Sequence, residues 1–199
     1  MKTKLGVVVV LVEIASVAGV LFLRGQRGLP APATVLLVFS LPMAFGLHVC
    51  EEFIFPGGAG DWFKAYRPQY ADAYTPSYFL RINVLPLVAA VLVCLGAFDY
   101  RGGFSFAGIR AWLAFVSLQG FNGLYHLRGT LESRRYSPGL LTGILLYLPL
   151  TLVAFASLLR SGAVDFISAA ACLLFGLGSQ RMFDLLKERR LQRAAPRAG

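Results

Sequence analysis

The sequence predicts an all-α polytopic membrane protein, a bundle of about six transmembrane helices with an amphipathic aromatic interfacial loop. Three observations carry this. Of 199 residues, 57% are hydrophobic and 15% charged, with a mean hydropathy of +0.65, whereas a soluble domain is about 45–50% apolar and about 25% charged. The apolar residues fall into six runs, each close to the ~20 residues that a helix needs to cross a bilayer. The basic residues stand at the ends of those runs, where they orient a membrane protein. A chain this apolar does not stay solvated, which excludes disorder. The net charge of +9 is not a nucleic-acid signature, because the basic residues do not share one soluble face.

The first span covers residues 5–23, behind Lys2 and Lys4. It is too long for a signal peptide and no A-x-A site closes it, so it reads as retained. The second, 33–55, contains Pro42 and ends on His48-Val49-Cys50-Glu51-Glu52, with Pro56-Gly57-Gly58 as the stop. The third covers 79–98, the fourth 104–127, the fifth 139–159 and the sixth 163–185. Residues 1–185 thus form one transmembrane domain, and 186–199 a basic tail. Cys50, Cys94 and Cys172 lie far apart and form neither a CxxC pair nor a disulfide framework.

Six spans place both termini and the second and fourth loops on one side. That side holds fourteen of the nineteen basic residues: Lys2, Lys4, Lys64, Arg67, Arg81, Arg128, Arg134, Arg135, Arg181, Lys187, Arg189, Arg190, Arg193 and Arg197. The other side holds Arg24, Arg27, Arg101, Arg110 and Arg160. The positive-inside rule makes the richer side, and both termini, cytoplasmic. In the second loop Trp62, Phe63, Tyr66, Tyr70, Tyr74 and Tyr78 accompany Lys64 and Arg67, a composition suited to the headgroup level. It reads as a segment over the cytoplasmic mouth of the bundle, serving as an aromatic anchor or as a lid. The run from Lys187 to Arg197 reads as a contact for anionic lipid.

Ionisable groups in hydrocarbon cost roughly 2.5–3.5 kcal/mol each on insertion scales, so the few inside the spans are functional candidates. His48 stands one helical turn from both Glu51 and Glu52. Gln119, Asn122 and His126 are spaced by three and four and share a face. The charge count puts these at the cytoplasmic depth, together with Asn83, Tyr136-Ser137-Pro138-Gly139 and Gln180-Arg181. Glu13 lies about two turns into the first span, either in the pocket or paired with Arg181. Pro42 sits about one and a half turns before His48, where it can kink the helix and free a backbone carbonyl near the site. Gly139 and Gly143 make a G-x-x-x-G packing signal.

Two chemistries fit this set. In the first, His48, His126 and one of Glu51 and Glu52 ligate zinc or another divalent metal, and the remaining glutamate is the general base of a hydrolysis. Glu51 as ligand and Glu52 as base is the first assignment, and the spacing does not choose between them. In the second, no metal is present, and Glu51 or Glu52 donates a proton to an alkene or epoxide, as in an isomerase or terpene cyclase. Asn122 and Tyr136 complete the catalytic set. Glu13, Asn83, Gln119, Trp62, Tyr66 and Gln180 line the substrate pocket. A site inside the bilayer suits a lipophilic substrate, an amphiphile or isoprenoid-like lipid. A non-enzymatic reading is a small transporter or structural subunit whose polar cluster is an ion path, and the plainest is a solvated helix end with a local ion pair.

His48-x-x-Glu51-Glu52 with Pro56-Gly57-Gly58 resembles the HxxEE-domain family of small bacterial integral membrane proteins. Asn122-Gly123-Leu124-Tyr125-His126 looks like that family's Asn/His element, and Arg135-Tyr136-Ser137-Pro138-Gly139 like its YSPG element. The resemblance covers the second through fifth spans. It implies a multi-span protein of the bacterial inner membrane with His and Glu as key residues, and it implies no reaction. The Arg that follows Glu-Glu in intramembrane CAAX-type proteases is missing. The likeness to sterol-isomerase-type bundles and membrane terpene cyclases is one of architecture alone.

Overall fold

In lipid a backbone must satisfy its own N–H and C=O groups, and an uninterrupted apolar run does this by coiling. A computed structural model describes residues 2–24, 32–99 and 103–194. They form α1 (Lys2–Arg24), α2 (Pro32–Phe53), α3 (Ala59–Tyr66), a 3-10 turn (Pro68–Ala73), α4 (Pro76–Gly96), α5 (Phe106–Ser133), α6 (Leu140–Arg160) and α7 (Phe166–Ala194). Among the described residues there is no strand, only one isolated bridge between Phe98 and Phe104. The protein is an all-α, polytopic membrane protein.

The six expected spans correspond to α1, α2, α4, α5, α6 and α7. Five of these contain stretches long and apolar enough to cross a membrane. The exception is α5, which has 28 residues but carries Arg110, Gln119, Asn122, His126 and Arg128. Its polarity has a structural reason. It is the central helix, packed against α2, α4, α6 and α7, and Trp112, Leu113, Gln119, Gly120 and His126 on it are all buried. A helix shielded by its neighbours need not be apolar on every face.

Helix starts follow their local sequence. Thr75 Oγ1 accepts from Tyr78 N at 3.2 Å with Pro76 at the first helical position of α4, and Ser105 Oγ accepts from Gly108 N at 3.3 Å in α5. Asp165 caps α7 through Ser168 N at 2.8 Å and pairs with Arg110 at 2.9 Å. The expected basic tail differs from the structure. Residues 186–194 continue α7, and Lys187 is buried, paired with Asp184 at 2.7 Å and held over the Tyr70 and Tyr74 rings. Residues 195–199 lie outside the described residues, as do the loop positions Arg27 and Arg101.

Pro42 acts as its chemistry requires. It cannot donate to Val38 O, and that carbonyl instead accepts from Trp112 Nε1 at 2.9 Å and Cys94 Sγ at 3.2 Å. The proline thus pins α2 to α5 and α4. Trp112→Phe is expected to cost about 1–3 kcal/mol by removing the stronger donor. In a Pro42→Ala background, where the helix supplies its own N–H, the loss should shrink. Unfolding in mixed micelles measures both, and equal losses in the two backgrounds would refute the pairing.

In α6 a π turn at Gly143–Tyr147 precedes Pro149, whose missing N–H breaks the regular ladder. There α6 meets α5 backbone to backbone: a Cβ on Gly123 would lie 2.8 Å from Gly143 O, and one on Gly143 would lie 2.9 Å from Gly123 Cα. The expected packing role of Gly143 is met by Gly123. Gly139 faces the site instead.

Candidate metal centre

Consecutive helical residues differ by about 100° in direction. On α2 this sends Gly46 towards α1 and His48 and Glu52 towards α5 and α6. Glu13 follows the first face. Its carboxylate occupies the space beside Gly46, where a Cβ would collide with Oε1, and it is not among the residues lining the cavity described below. Its expected place in the substrate pocket is therefore corrected. The alternative pairing with Arg181 also fails, since Arg181 meets Glu188 at 3.3 Å. The Gln180 side chain lies outside the described residues.

Both histidines are buried and their ring centroids are 5.0 Å apart. Glu52 Oε1 lies 3.3 Å from His126 Nε2 and 3.6 Å from His48 Nε2. One donor atom from each of the three residues falls within 4.8 Å of the others. The outer ring nitrogens are anchored: His48 Nδ1 is 2.8 Å from Thr142 Oγ1 and His126 Nδ1 is 2.8 Å from Ser137 Oγ. Thr142 gives its hydroxyl hydrogen to Glu51 Oε2 at 2.5 Å, so its oxygen accepts from His48 Nδ1–H. His48 Nε2 is then a lone pair, and it accepts from Asn122 Nδ2 at 3.0 Å. His126 Nε2 is buried with no hydrogen-bond partner.

Glu51 and Glu52 have separate environments. Glu51 turns towards the segment before α6 and accepts from Gly139 N and Leu141 N at 3.0 Å, from Thr142 N at 2.8 Å, from the Thr142 hydroxyl and from the Tyr136 hydroxyl. It is the N-terminal cap of α6, supplied by another helix, at the end where free N–H groups favour a negative charge. The sequence expectation of Glu51 as ligand and Glu52 as base is corrected by this geometry: Glu52 faces the histidines. Tyr136, expected to be catalytic, is a partner of Glu51.

A cavity of about 250 Å³ opens on His48, Glu52 and Asn122. Phe45, Phe63, Phe79, Phe115 and Tyr125 supply much of its wall, with the expected Asn83 and Gln119 among its polar groups. The aromatic segment does cover this end of the bundle: Phe63, Tyr74 and Tyr78 line the cavity, and Tyr70 donates to Glu188 of α7 at 3.0 Å. Trp62 and Tyr66, expected in the same pocket, line a separate groove with Glu132, Ser133 and Arg135. Trp62 stacks on Tyr66 at 4.7 Å and stands 6.1 Å from the His126 ring, while the Tyr66 hydroxyl is held by Glu132.

Sequence reasoning missed Thr142 and Tyr147. Thr142 was visible as a lone hydroxyl, three residues after Gly139 in an apolar run. Tyr147, fully buried with its ring 4.7 Å from His48, gave no signal beyond its aromatic character. Gly139 has φ +103°, and a Cβ there would meet His48 Cε1 at 2.6 Å and His126 Cε1 at 2.8 Å. Gly139→Ala is therefore expected to push the two histidine rings apart even where the chain folds. Shifts of the histidine ring resonances in the purified variant check this, and wild-type resonances would contradict it.

A family model described as "Protein of unknown function with HXXEE motif" matches residues 39–154, which include every residue of the centre. No curated protein and no solved structure matches the chain.

Proposed function

The chain belongs to the HXXEE family, and from that premise we propose that it is a metal-dependent membrane enzyme, a hydrolase acting on a lipid-like amphiphile. One observation carries the reading: Glu52 Oε1 stands 3.3 and 3.6 Å from the two Nε2 atoms. Four-coordinate zinc with bonds of about 2.0–2.1 Å places its donors roughly 3.3–3.4 Å apart, so these side chains fit around a divalent ion with small adjustment. His126 Nε2 is buried without a hydrogen bond and 3.3 Å from Glu52 Oε1, a placement that a cation shared between them would satisfy. The Thr142 and Ser137 contacts are what metal-ligating histidines use to fix ring orientation.

Two imidazoles and one carboxylate leave coordination positions open towards the cavity. A bound ion would supply Lewis acidity and a readily deprotonated water. His48, His126 and Glu52 would hold it, and Asn122, released from His48 Nε2, would orient the substrate or water from the cavity wall. Glu51, filled by donors, holds α6 and the Thr142–His48 contact in place. The aromatic wall suits the apolar part of a substrate from the bilayer. The charge asymmetry supports cytoplasmic termini in a bacterial inner membrane, and the basic C-terminal end supports contact with anionic lipid.

A metal-free acid–base isomerase or cyclase is the second reading, favoured by the aromatic rings around the cavity. Metal analysis of the purified full chain separates the two. Stoichiometric divalent metal, lost in His48→Ala and His126→Ala, is the expected result. Protein that stays metal-free after incubation with zinc, manganese or iron(II) would sink the first reading. Movement of a solute through sealed vesicles without chemical change would point to a transporter instead.

A further inference from the structure

Gln119 is 2% exposed, lies on the cavity wall, and its Nε2 is buried with no hydrogen-bond partner. An amide donor enclosed this way is costly to leave unmade, more so where bulk water is far away. The other buried amide on the wall, Asn83, donates to Phe79 O at 2.9 Å, so its need is met. Gln119 stands two turns of α5 from His126, about 10 Å along the axis. Its cavity neighbours on α2 and α5 include Phe45, Phe115 and Leu118, which offer it no side-chain acceptor. A second donor in the same cavity is also unmatched: the Tyr74 hydroxyl, at the end near Lys187.

We infer that the cavity takes an apolar molecule bearing an acceptor oxygen, an ester, ketone or ether, which Gln119 Nε2 receives beyond the His48–Glu52–His126 centre. The occupant is thereby an oxygenated amphiphile, and a bare hydrocarbon or isoprenoid tail does not satisfy the site. Methyl, methylene and aromatic contacts hold the chain, and the amide fixes its register against the centre. The inference rests on reading the cavity as the substrate site, but it does not need the metal.

The test uses thermal unfolding of the full chain in detergent, titrated with methyl octanoate or with decane, since a ligand of the folded state raises the midpoint. The ester should half-saturate the wild type at a concentration about five- to tenfold below that of decane, the range of one net hydrogen bond. Gln119→Leu should erase the difference by weakening the ester and sparing decane. Gln119→Met serves if the leucine variant does not fold. The preference should persist in Glu52→Gln, so it can stand even if the metal reading falls. Equal binding of both probes to the wild type would overturn the inference, as would an ester preference that survives in Gln119→Leu.

Discussion

Glu52→Gln is expected to abolish the divalent-metal binding and the turnover proposed above while leaving the thermal unfolding of the metal-free protein close to wild type. Among the described residues the carboxylate makes no hydrogen bond to the backbone. Its near neighbours are the two histidine Nε2 atoms at 3.3 and 3.6 Å. Exchanging a buried carboxylate for an amide of the same shape removes a charge whose desolvation is itself costly, so little stability is lost. A metal held as proposed would lose its one anionic ligand. The loss in affinity should exceed the ~10–100-fold typical of removing an outer partner of a ligand, whereas Thr142→Ala should fall within that range. Calorimetric titration with zinc measures both. Retained metal in Glu52→Gln, with loss in Glu51→Gln, would return the ligand role to Glu51.

Glu51→Ala should show the opposite pattern, with stability lost first. The carboxylate accepts from three backbone N–H groups and two hydroxyls. No other helix reaches that point to replace it among the interactions of the described residues. The two hydroxyls can turn elsewhere; the three N–H groups are fixed by the backbone. At about 1–3 kcal/mol for each buried unsatisfied group, the variant should lose on the order of 4 kcal/mol or more. Thermal unfolding in the absence of added metal reads this directly. A loss below about 1 kcal/mol would mean that the cap carries no weight. The proposed metal affinity should fall as well, because Thr142 would no longer be held to accept from His48 Nδ1–H.

The two variants separate roles that lie one residue apart, and they show how far the sequence reads. The apolar runs gave the helices, and the three ordered motifs gave the residues of the centre: His48, Glu52, Asn122 and His126 meet where a spacing of four on each helix puts them on facing stripes. Ser137 came with the Tyr136–Gly139 motif. Glu13 was misplaced because its depth in α1 was known but its direction was not. Trp62 and Tyr66 were misplaced for a related reason. They lie on α3 with the cavity-lining Phe63: Trp62 is turned from it by about 100°, Tyr66 stands one turn after Trp62, and both face the groove with Glu132. Thr142 and Tyr147 had no pattern to betray them, because their partners lie 94 and 99 positions away in the chain.

By itself the sequence determined the solvent, the helices and the short inventory of polar groups inside them, since these follow from local composition and the energy of placing charge in hydrocarbon. Only the tertiary structure decided which glutamate faces the histidines. Glu51 and Glu52 both stand within a turn of His48, so periodicity cannot choose between them. The rotation of α2 against α5 and α6 does: it delivers Glu52 to the Nε2 atoms of the two histidines and Glu51 to the bare N–H groups that begin α6.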